Sequence, residues 1–332
     1  MKKKGYLQII LALAVVFVLA NSFNSKKSKY IIENLQLAKL PVPLMMPQMV
    51  QAKGKYYVIS QSNCEGFRKK FNISNLTLLR DSQVVVYEFN PSGGIVKKLS
   101  DAGISRCFFG ACYYGNKIYI AGGYDNKWSP TTSLYEYDLS AKKWTQKNSM
   151  FFPRARFALE CSQGFIYAIG GENTNGSIEI YDPLRDLWEL VNTKFIPSNM
   201  KPLLGIASSA VIDKKIFLIG TSGSAFQIFD PETSVQSEGP MAPAKADYVS
   251  IVVYNRRLYI AGGFLTNVIN DRVYMYDESE GIWSTVGKIP VPRYGSGLAY
   301  YNGMLFYLGG STTDILQPTV PTDEIFVYRP MK

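Results

Sequence analysis

A short apolar segment that recurs along the chain constrains its fold more than any other feature of the sequence. Five copies are evident, and all but the third end in Gly-Gly: Lys117–Gly123, Phe165–Gly171, Ile216–Thr221, Leu258–Gly263 and Leu305–Gly310. Their last positions are 48, 50, 42 and 47 residues apart. A period of this length indicates an array of equivalent supersecondary units rather than one irregular core.

A second apolar segment follows each copy and ends in an aromatic residue, which Asp follows in all but the last unit: Leu134–Asp138, Ile178–Asp182, Phe226–Asp230, Val273–Asp277 and Ile325–Tyr328. Trp144, Trp188 and Trp283 come after three of these segments. A weaker copy of the pair lies upstream, at residues 55–61 and 85–90, with an insertion at residues 62–82 between its two segments. The pattern therefore predicts six units.

These paired segments resemble the kelch repeat, whose period is about 50 residues. The resemblance implies an all-β fold, a six-bladed β-propeller in which each unit is one four-stranded blade. Short apolar strands separated by turn residues independently favour antiparallel hairpins. The approximate units are 41–98, 99–147, 148–195, 196–239, 240–288 and 289–332.

The two ends of the repeat array are complementary. The last unit stops after Tyr328, one strand short of the others, while the apolar segment 30–40 precedes the first unit without a partner. We expect residues 30–40 to complete the last blade, because pairing of the N- and C-terminal strands removes an exposed sheet edge. This gives a single propeller domain at 30–332, preceded by a linker at 21–29.

Residues 1–20 have the plan of a secretory signal peptide. Lys2, Lys3 and Lys4 precede an apolar run, Leu7–Ala20, which is short for a membrane span. We expect a secreted or periplasmic protein, and the alternative is an uncleaved N-terminal anchor that places the propeller outside the cytoplasm. The formal net charge is +10, without a basic helix or a basic and aromatic ribbon, so we expect no nucleic-acid partner.

Histidine is absent from the sequence, and cysteine occurs four times. The missing imidazole removes the common catalytic triads and most zinc, copper and non-haem iron sites, so we predict no metal and no cofactor. An even number of cysteines in an exported chain permits disulfides. Cys64 and Cys107 are expected on the same face, and a bridge between them would hold the insertion. Buried thiols are the alternative.

Three arginines, Arg106, Arg154 and Arg293, fall at one repeat position when the units are aligned on Gly-Gly, and Lys245 lies one residue away from it. The resemblance to kelch propellers implies that this position lies before the innermost strand, near the mouth of the central channel. Two interpretations remain open at this stage. The cations bind backbone carbonyl groups of neighbouring blades, or they bind the carboxylates of a ligand.

The loops that follow Gly-Gly are expected on the same face and supply aromatic and acidic side chains. Tyr124, Trp128 and Phe264 would provide stacking surface, with Asp125 and Glu172 beside them. The sequence favours a binding module for a protein or an acidic glycan over an enzyme. The alternative is a metal-free sugar isomerase resembling sialic-acid epimerases or mutarotases, with Glu172 or Glu65 as base and one of the arginines as clamp. A carboxyl group buried in the channel with a raised pKa would favour that enzyme.

Overall fold

Antiparallel strands make up the regular structure of the chain. The computed structural model describes residues 39–61, 83–172, 174–196, 203, 205–221, 225–243, 247–265, 268–289, 291–312 and 321–329. These residues belong to one compact unit that begins at Asn34. They form 27 strands and no helix, so none of them forms an apolar helix long enough to cross a membrane.

Six sheets of at least four strands form the blades of a six-bladed propeller. The first strand of the described residues is β1 (Lys39–Leu44), which belongs to the last blade. Blade 1 consists of β2 (Gln48–Ala52), β3 (Lys55–Ile59), β4 (Val85–Asn90) and β5 (Ile95–Asp101). Blade 2 consists of β6 (Gly110–Tyr114), β7 (Lys117–Ala121), β8 (Leu134–Asp138) and β9 (Lys143–Lys147). Blade 3 consists of β10 (Ala158–Ser162), β11 (Phe165–Ile169), β12 (Ile178–Asp182) and β13 (Leu187–Val191).

The later blades carry small additions to this plan. The short strand β14 (Lys194–Ile196) pairs in parallel with the outer strand of blade 4. Blade 4 otherwise consists of β15 (Ile206–Ile212), β16 (Lys215–Gly220), β17 (Phe226–Asp230) and β18 (Val235–Glu238). Blade 5 contains β19 (Ser250–Tyr254), β20 (Arg257–Ala261), a loop hairpin of β21 (Phe264–Leu265) and β22 (Val268–Ile269), then β23 (Arg272–Asp277) and β24 (Ile282–Lys288). Blade 6 consists of β25 (Gly297–Tyr301), β26 (Met304–Leu308), β27 (Thr322–Tyr328) and β1.

The propeller closes through β1, which pairs antiparallel with β27 and is the outer strand of blade 6. Lys39 pairs with Glu324 and Leu44 with Thr322, with an irregularity between them. The closing strand therefore begins at residue 39 of the described chain, while residues 30–38 of the predicted segment lie outside the described residues. Blade 6 thus combines both ends of the propeller.

The Gly-Gly signature has a physical cause at each blade junction. Gly122 has a φ of +62°, and a Cβ atom on it would lie 2.6 Å from the carbonyl oxygen of Arg154 in the next blade. The following amide, that of Gly123, donates a 2.7 Å hydrogen bond to the same oxygen. Gly309 and Gly310 meet Leu44 of the closing strand in the same way. Only glycine combines this backbone conformation with so close an approach.

The repeated tryptophans of blades 2, 3 and 5 attach each of these blades to the outer strand of the preceding blade or to the connection that follows that strand. The indole Nε1 of Trp144 donates to Ser100 Oγ at 3.0 Å, that of Trp188 to the carbonyl oxygen of Asn148 at 2.8 Å, and that of Trp283 to the carbonyl oxygen of Pro240 at 3.1 Å. Each ring also packs against the tyrosine of its own third strand, with centroids 4.9 to 5.2 Å apart. The tryptophans therefore combine apolar burial with a satisfied donor.

Candidate functional site

Arg154 lies inside blade 3, with its side chain fully buried. Its guanidinium donates to the Glu179 carboxylate from Nε at 3.1 Å and from Nη2 at 2.8 Å. Further bonds reach the carbonyl oxygens of Gly170 and Ser177 and the Ser177 hydroxyl. All of its donor groups are therefore engaged within the protein, and Arg154 is not available to a ligand.

Arg293 occupies the equivalent place in blade 6 and is 1 % exposed. Its Nη1 donates to the carbonyl oxygen of Gly309 at 2.8 Å, and its guanidinium lies 3.9 Å from the centroid of the Phe326 ring. Phe326 stands where blade 3 has Glu179, since each pairs with the second residue before Gly-Gly. Burial lowers the pKa of Arg293 to about 10.

The predicted ring of ligand-binding cations is therefore not formed by these two arginines, because both are enclosed in their blades. Arg106 is half-buried and donates to the carbonyl oxygen of Ser105 at 2.8 Å and to Ser133 Oγ at 3.1 Å. Lys245 lies outside the described residues. Each of the three arginines binds backbone carbonyl oxygens, but those bound by Arg154 and Arg293 belong to the same blade as the arginine and not to a neighbouring blade.

In the other five blades the channel mouth is instead bordered by the residue two positions before the innermost strand, while residue 204 of blade 4 lies outside the described residues. Five of these residues have a left-handed backbone, with φ between +51° and +61°: Met46, Phe108, Arg156, Tyr248 and Gly295. Four of the five are bulky, which is uncommon for this conformation. Their backbones join the blades in sequence, because Arg156 N donates to Phe108 O at 3.1 Å and Met46 N donates to Gly295 O at 2.7 Å.

Gln61 completes this ring of hydrogen bonds at the junction of blades 1 and 2. It stands at the position of the second glycine of the Gly-Gly pair, and its side chain is buried. Its Nε2 donates to the carbonyl oxygen of Met46 at 2.8 Å, and its Oε1 accepts a 2.6 Å bond from the amide of Phe108. The amide side chain therefore bridges two backbone groups that meet directly at other junctions.

Arg156 is the cation that the structure places at the mouth. Its guanidinium lies 5.5 Å from the ring centroid of Phe108 and 5.6 Å from that of Tyr248. Its Nη1 is 3.6 Å from Glu172 Oε1. The side chain is only 15 % exposed, so it presents a guanidinium edge between two aromatic rings. Arg156 stands only two residues after Arg154 in the sequence. It was not predicted from the sequence because the units were aligned on the repeated arginine, which is Arg154 in blade 3.

Tyr124 and Trp128 lie beside Arg156. Their rings stack with centroids 4.3 Å apart, and Phe108 contacts both edge to face. The Tyr124 hydroxyl donates a short hydrogen bond to Glu172 Oε2. Burial, together with this bond, raises the pKa of Tyr124 well above its usual range. Tyr124 is buried, so the ring accessible from solvent is that of Trp128.

These contacts define one partly exposed surface. Met46, Trp128, Tyr248 and Ile269 pack against a buried cluster that contains Phe108 and Tyr124. We call Met46, Trp128, Arg156, Tyr248 and Ile269 the mouth platform. Of the other residues predicted here, Asp125 accepts amide bonds from Lys127 and Ser129 and shapes the Trp128 turn. The side chains of Phe264 and Glu65 lie outside the described residues.

Behind the platform, the innermost strands enclose a cavity of about 430 Å³ along the propeller axis. Arg156 and Glu160 are the charged residues that line it in the described part of the chain. Ser209 Oγ of blade 4 donates a 2.6 Å bond to Glu160 Oε1. Burial raises the pKa of Glu160 to about 7, against the lowering effect of that bond. In the described residues, no group of three or more Asp, Glu, Cys or His side chains is arranged to hold a metal.

A disulfide joins the innermost strands of blades 2 and 3, and both of its cysteines line the central cavity beside Glu160. It links Cys112 of β6 to Cys161 of β10, with Cα atoms 5.9 Å apart. Cys107 is also disulfide-bonded. Its predicted partner, Cys64, lies outside the described residues, so the Cys64–Cys107 pairing stays a prediction. The Cys112–Cys161 bridge was one of several pairings that the sequence allowed.

Comparison with known proteins agrees with the repeat and the blades. A family model described as the kelch motif matches residues 105–151, 153–194 and 247–290, which correspond to blades 2, 3 and 5. The chain is a six-bladed propeller that contains kelch motifs.

Curated proteins similar to this kelch propeller have low sequence identity to it. Kelch-like protein 35 of Mus musculus is 25% identical over 220 residues, which are 63% of this chain and 35% of that protein. Kelch repeat and BTB domain-containing protein 1 of horsepox virus is 25% identical over 231 residues, 65% of this chain and 40% of the viral protein. Kelch-like protein 25 of Xenopus tropicalis is 22% identical over 262 residues, 70% of this chain and 43% of that protein. The chain therefore spans less than half the length of these relatives.

Proposed function

We propose that this kelch propeller is an exported module that binds a protein partner through its mouth platform. The observation that carries the proposal is the row of bulky side chains held in left-handed backbone conformations around the channel mouth, among them Arg156 and Tyr248. Such conformations cost about 1 to 3 kcal/mol each and cluster at binding and catalytic sites. Kelch propellers are generally protein-interaction modules, which supports the same conclusion.

The chemistry of the mouth platform favours a protein over an acidic glycan. Arg154 and Arg293, which suggested a carboxylate ligand, are enclosed in their blades. Arg156, the cation of the mouth platform, is already paired with Glu172. Aromatic rings, a methionine and one arginine around a partly buried ion pair are the composition expected at the centre of a protein interface.

The sugar isomerase alternative lacks a complete site among the described residues. Glu160 satisfies one requirement, since it is a channel carboxyl group with a raised pKa. The isomerase also needs a free arginine to hold the sugar acid, and the channel's arginine, Arg156, is paired with Glu172. The predicted base Glu172 is itself bonded to Tyr124. We therefore do not propose catalysis.

Export is supported by two independent features of the chain. The basic and apolar pattern of residues 1–20, which lie outside the described residues, is typical of a secretory signal peptide. The disulfide between Cys112 and Cys161 is of a kind that persists in oxidising compartments and is rare in the cytosol. Cell fractionation followed by mass spectrometry of the N-terminus tests this part. Recovery from the cytosol with residues 1–20 intact would contradict it.

The partner-binding part is tested with peptides selected from a displayed library on the purified chain. Trp128→Ala and Tyr248→Ala should each weaken the selected peptides at least tenfold, because each removes a half-buried ring from the centre of the platform. Tyr301→Ala is the matched control. Tyr301 is also a half-exposed tyrosine, but it ends β25 at the opposite end of the channel.

The outcomes are distinct. Loss of binding in both platform variants with unchanged binding by Tyr301→Ala supports the proposal. Peptides that bind all three variants as they bind the unsubstituted chain would place the partner surface elsewhere and overturn it. Circular dichroism melting of each variant confirms that the propeller is intact, since neither ring belongs to a blade core.

A further inference from the structure

Blade 3 places a carboxylate where other blades have apolar or small side chains. Glu160 is the third residue of β10 and pairs with Tyr167. The equivalent residues of blades 1, 2, 5 and 6 are Val50, Cys112, Val252 and Ala299. All four are buried, whereas Glu160 remains partly exposed and lines the central cavity. Its carboxylate therefore reaches the channel.

No cation in the described part of the chain pairs with this carboxylate. Among the described residues, the one side chain that donates a hydrogen bond to the Glu160 carboxylate is Ser209, which bonds to Oε1. The strands packed against β10 contribute the tyrosines of β6 and β11, whose phenols are uncharged at neutral pH, and no ionisable group from β15. Lys215, at the start of β16, is exposed, and Arg156 pairs with Glu172 at the mouth.

An ionised carboxylate in such a place is costly, because it has lost hydration without gaining a counter-ion. This cost is the reason that burial raises the pKa of Glu160 to about 7, which leaves the group about half ionised near neutral pH. A cation that entered the channel would supply the missing counter-ion. The cavity of about 430 Å³ is within the range of small-molecule sites.

We propose that the channel contains a second site, separate from the mouth platform, that binds a primary ammonium group with Glu160 as its counter-ion. Ser209 already occupies Oε1, which leaves Oε2 as the open acceptor. A single open oxygen suits the compact ammonium group better than the two-pronged guanidinium, which needs both oxygens. Ser208 and Ser250 also line the cavity, and the Ser250 hydroxyl donates to the carbonyl oxygen of Ser296 at 2.7 Å.

Isothermal titration calorimetry of the full chain with n-butylammonium, the analogue of a lysine side chain, tests this site. At pH 8 the unsubstituted chain should bind the amine, and Glu160→Gln should bind it at least tenfold more weakly. Glu189→Gln, the same change on an exposed strand of the same blade, should bind normally. Near pH 7, titrations in two buffers of different ionisation enthalpy should show release of about half a proton per amine bound, since the cation selects the ionised carboxylate.

A tripeptide with a central lysine, compared with the free amine, distinguishes the source of the ammonium group. Tighter binding of the peptide indicates a lysine side chain of a partner, and exclusion of the peptide indicates a diffusible amine. Equal binding by Glu160→Gln, absence of proton release, or no binding at millimolar amine would overturn the proposal. The Gln variant removes a buried charge and keeps the shape of the side chain, so it is expected to fold.

Discussion

The buried ion pair of blade 3 gives the sharpest test of how the repeated arginine is used. Glu179 has a fully buried side chain and accepts four hydrogen bonds. Two come from Arg154, and two come from the backbone amides of Phe151 at 2.6 Å and Phe152 at 3.2 Å. Glu179→Ala removes all four acceptor contacts. It leaves a guanidinium without a counter-ion in the interior of the blade.

The expected cost follows from these contacts. Removing one member of a buried ion pair costs about 3 to 5 kcal/mol, because the other charge stays buried and unpaired. Arg154→Ala should cost a similar amount, since it leaves the Glu179 carboxylate without its cation and removes the donor to the carbonyl oxygen of Gly170. The double variant loses both charges together, so its cost should fall below the sum of the single costs by about 2 kcal/mol or more.

Urea denaturation, with thermal melting as a second probe, measures these differences. A loss of about 4 kcal/mol corresponds to a fall of roughly 6 °C in melting temperature for a domain of about 300 residues. Glu189→Ala, on the exposed outer strand of the same blade, should change stability by less than about 0.5 kcal/mol. If Glu179→Ala cost less than about 1 kcal/mol, or if the single costs simply added, Arg154 would not depend on this carboxylate.

Three further predictions concern the channel and the ring around its mouth. Glu160 has a folded pKa of about 7 against 4.5 for the free group, so the folded chain binds more protons between these values and loses stability as pH rises through them. Glu160→Gln should therefore match the unsubstituted chain near pH 4, below the pKa of the unfolded group, and melt higher at pH 8. Parallel pH profiles would contradict this. Replacing Cys112 and Cys161 with serine removes the bridge between residues 49 apart in sequence and should lower the free energy of unfolding by up to about 4 kcal/mol, measured by urea denaturation. An unchanged urea midpoint would show that the bridge is dispensable. Gln61→Ala should lower the free energy of unfolding by about 2 to 3 kcal/mol in the same assay, because it leaves two buried backbone groups unpaired. The control Gln146→Ala, on an exposed strand, should not change it measurably.

The blades were predictable from the sequence because their determinants are local. Gly122 and Gly123 mark a junction where backbone meets backbone, and Trp144 marks the outer strand that fastens to the previous blade. Both signals recur at a fixed interval, so each unit supports the interpretation of the others. Two-residue hairpin turns such as Gly115-Asn116 have positive φ at both residues, 58° and 66°. Glycine and asparagine favour this conformation, so the turns between strands were also predictable from the sequence.

The candidate site was less predictable, since the role of an arginine depends on what stands opposite it. Arg154 and Arg293 share a repeat position, but β12 supplies Glu179 to one and β27 supplies Phe326 to the other. Repeat alignment finds the arginine without showing its burial. Glu160 carried a usable signal, because a carboxylate in the middle of an innermost strand departs from its apolar counterparts. That signal becomes visible only when the strands are aligned by their pairing.

The mouth combines a backbone conformation that recurs from blade to blade with side chains that differ between the blades. Met46, Phe108, Arg156, Tyr248 and Gly295 share a left-handed backbone and have five different side chains. The hydrogen bonds that join the blades there use backbone atoms, or the Gln61 amide in their place. Since closure does not depend on these side chains, their identities are free to be set by the ligand. A substitution at Tyr248 should therefore change binding more than stability, whereas one at Gln61 should do the reverse.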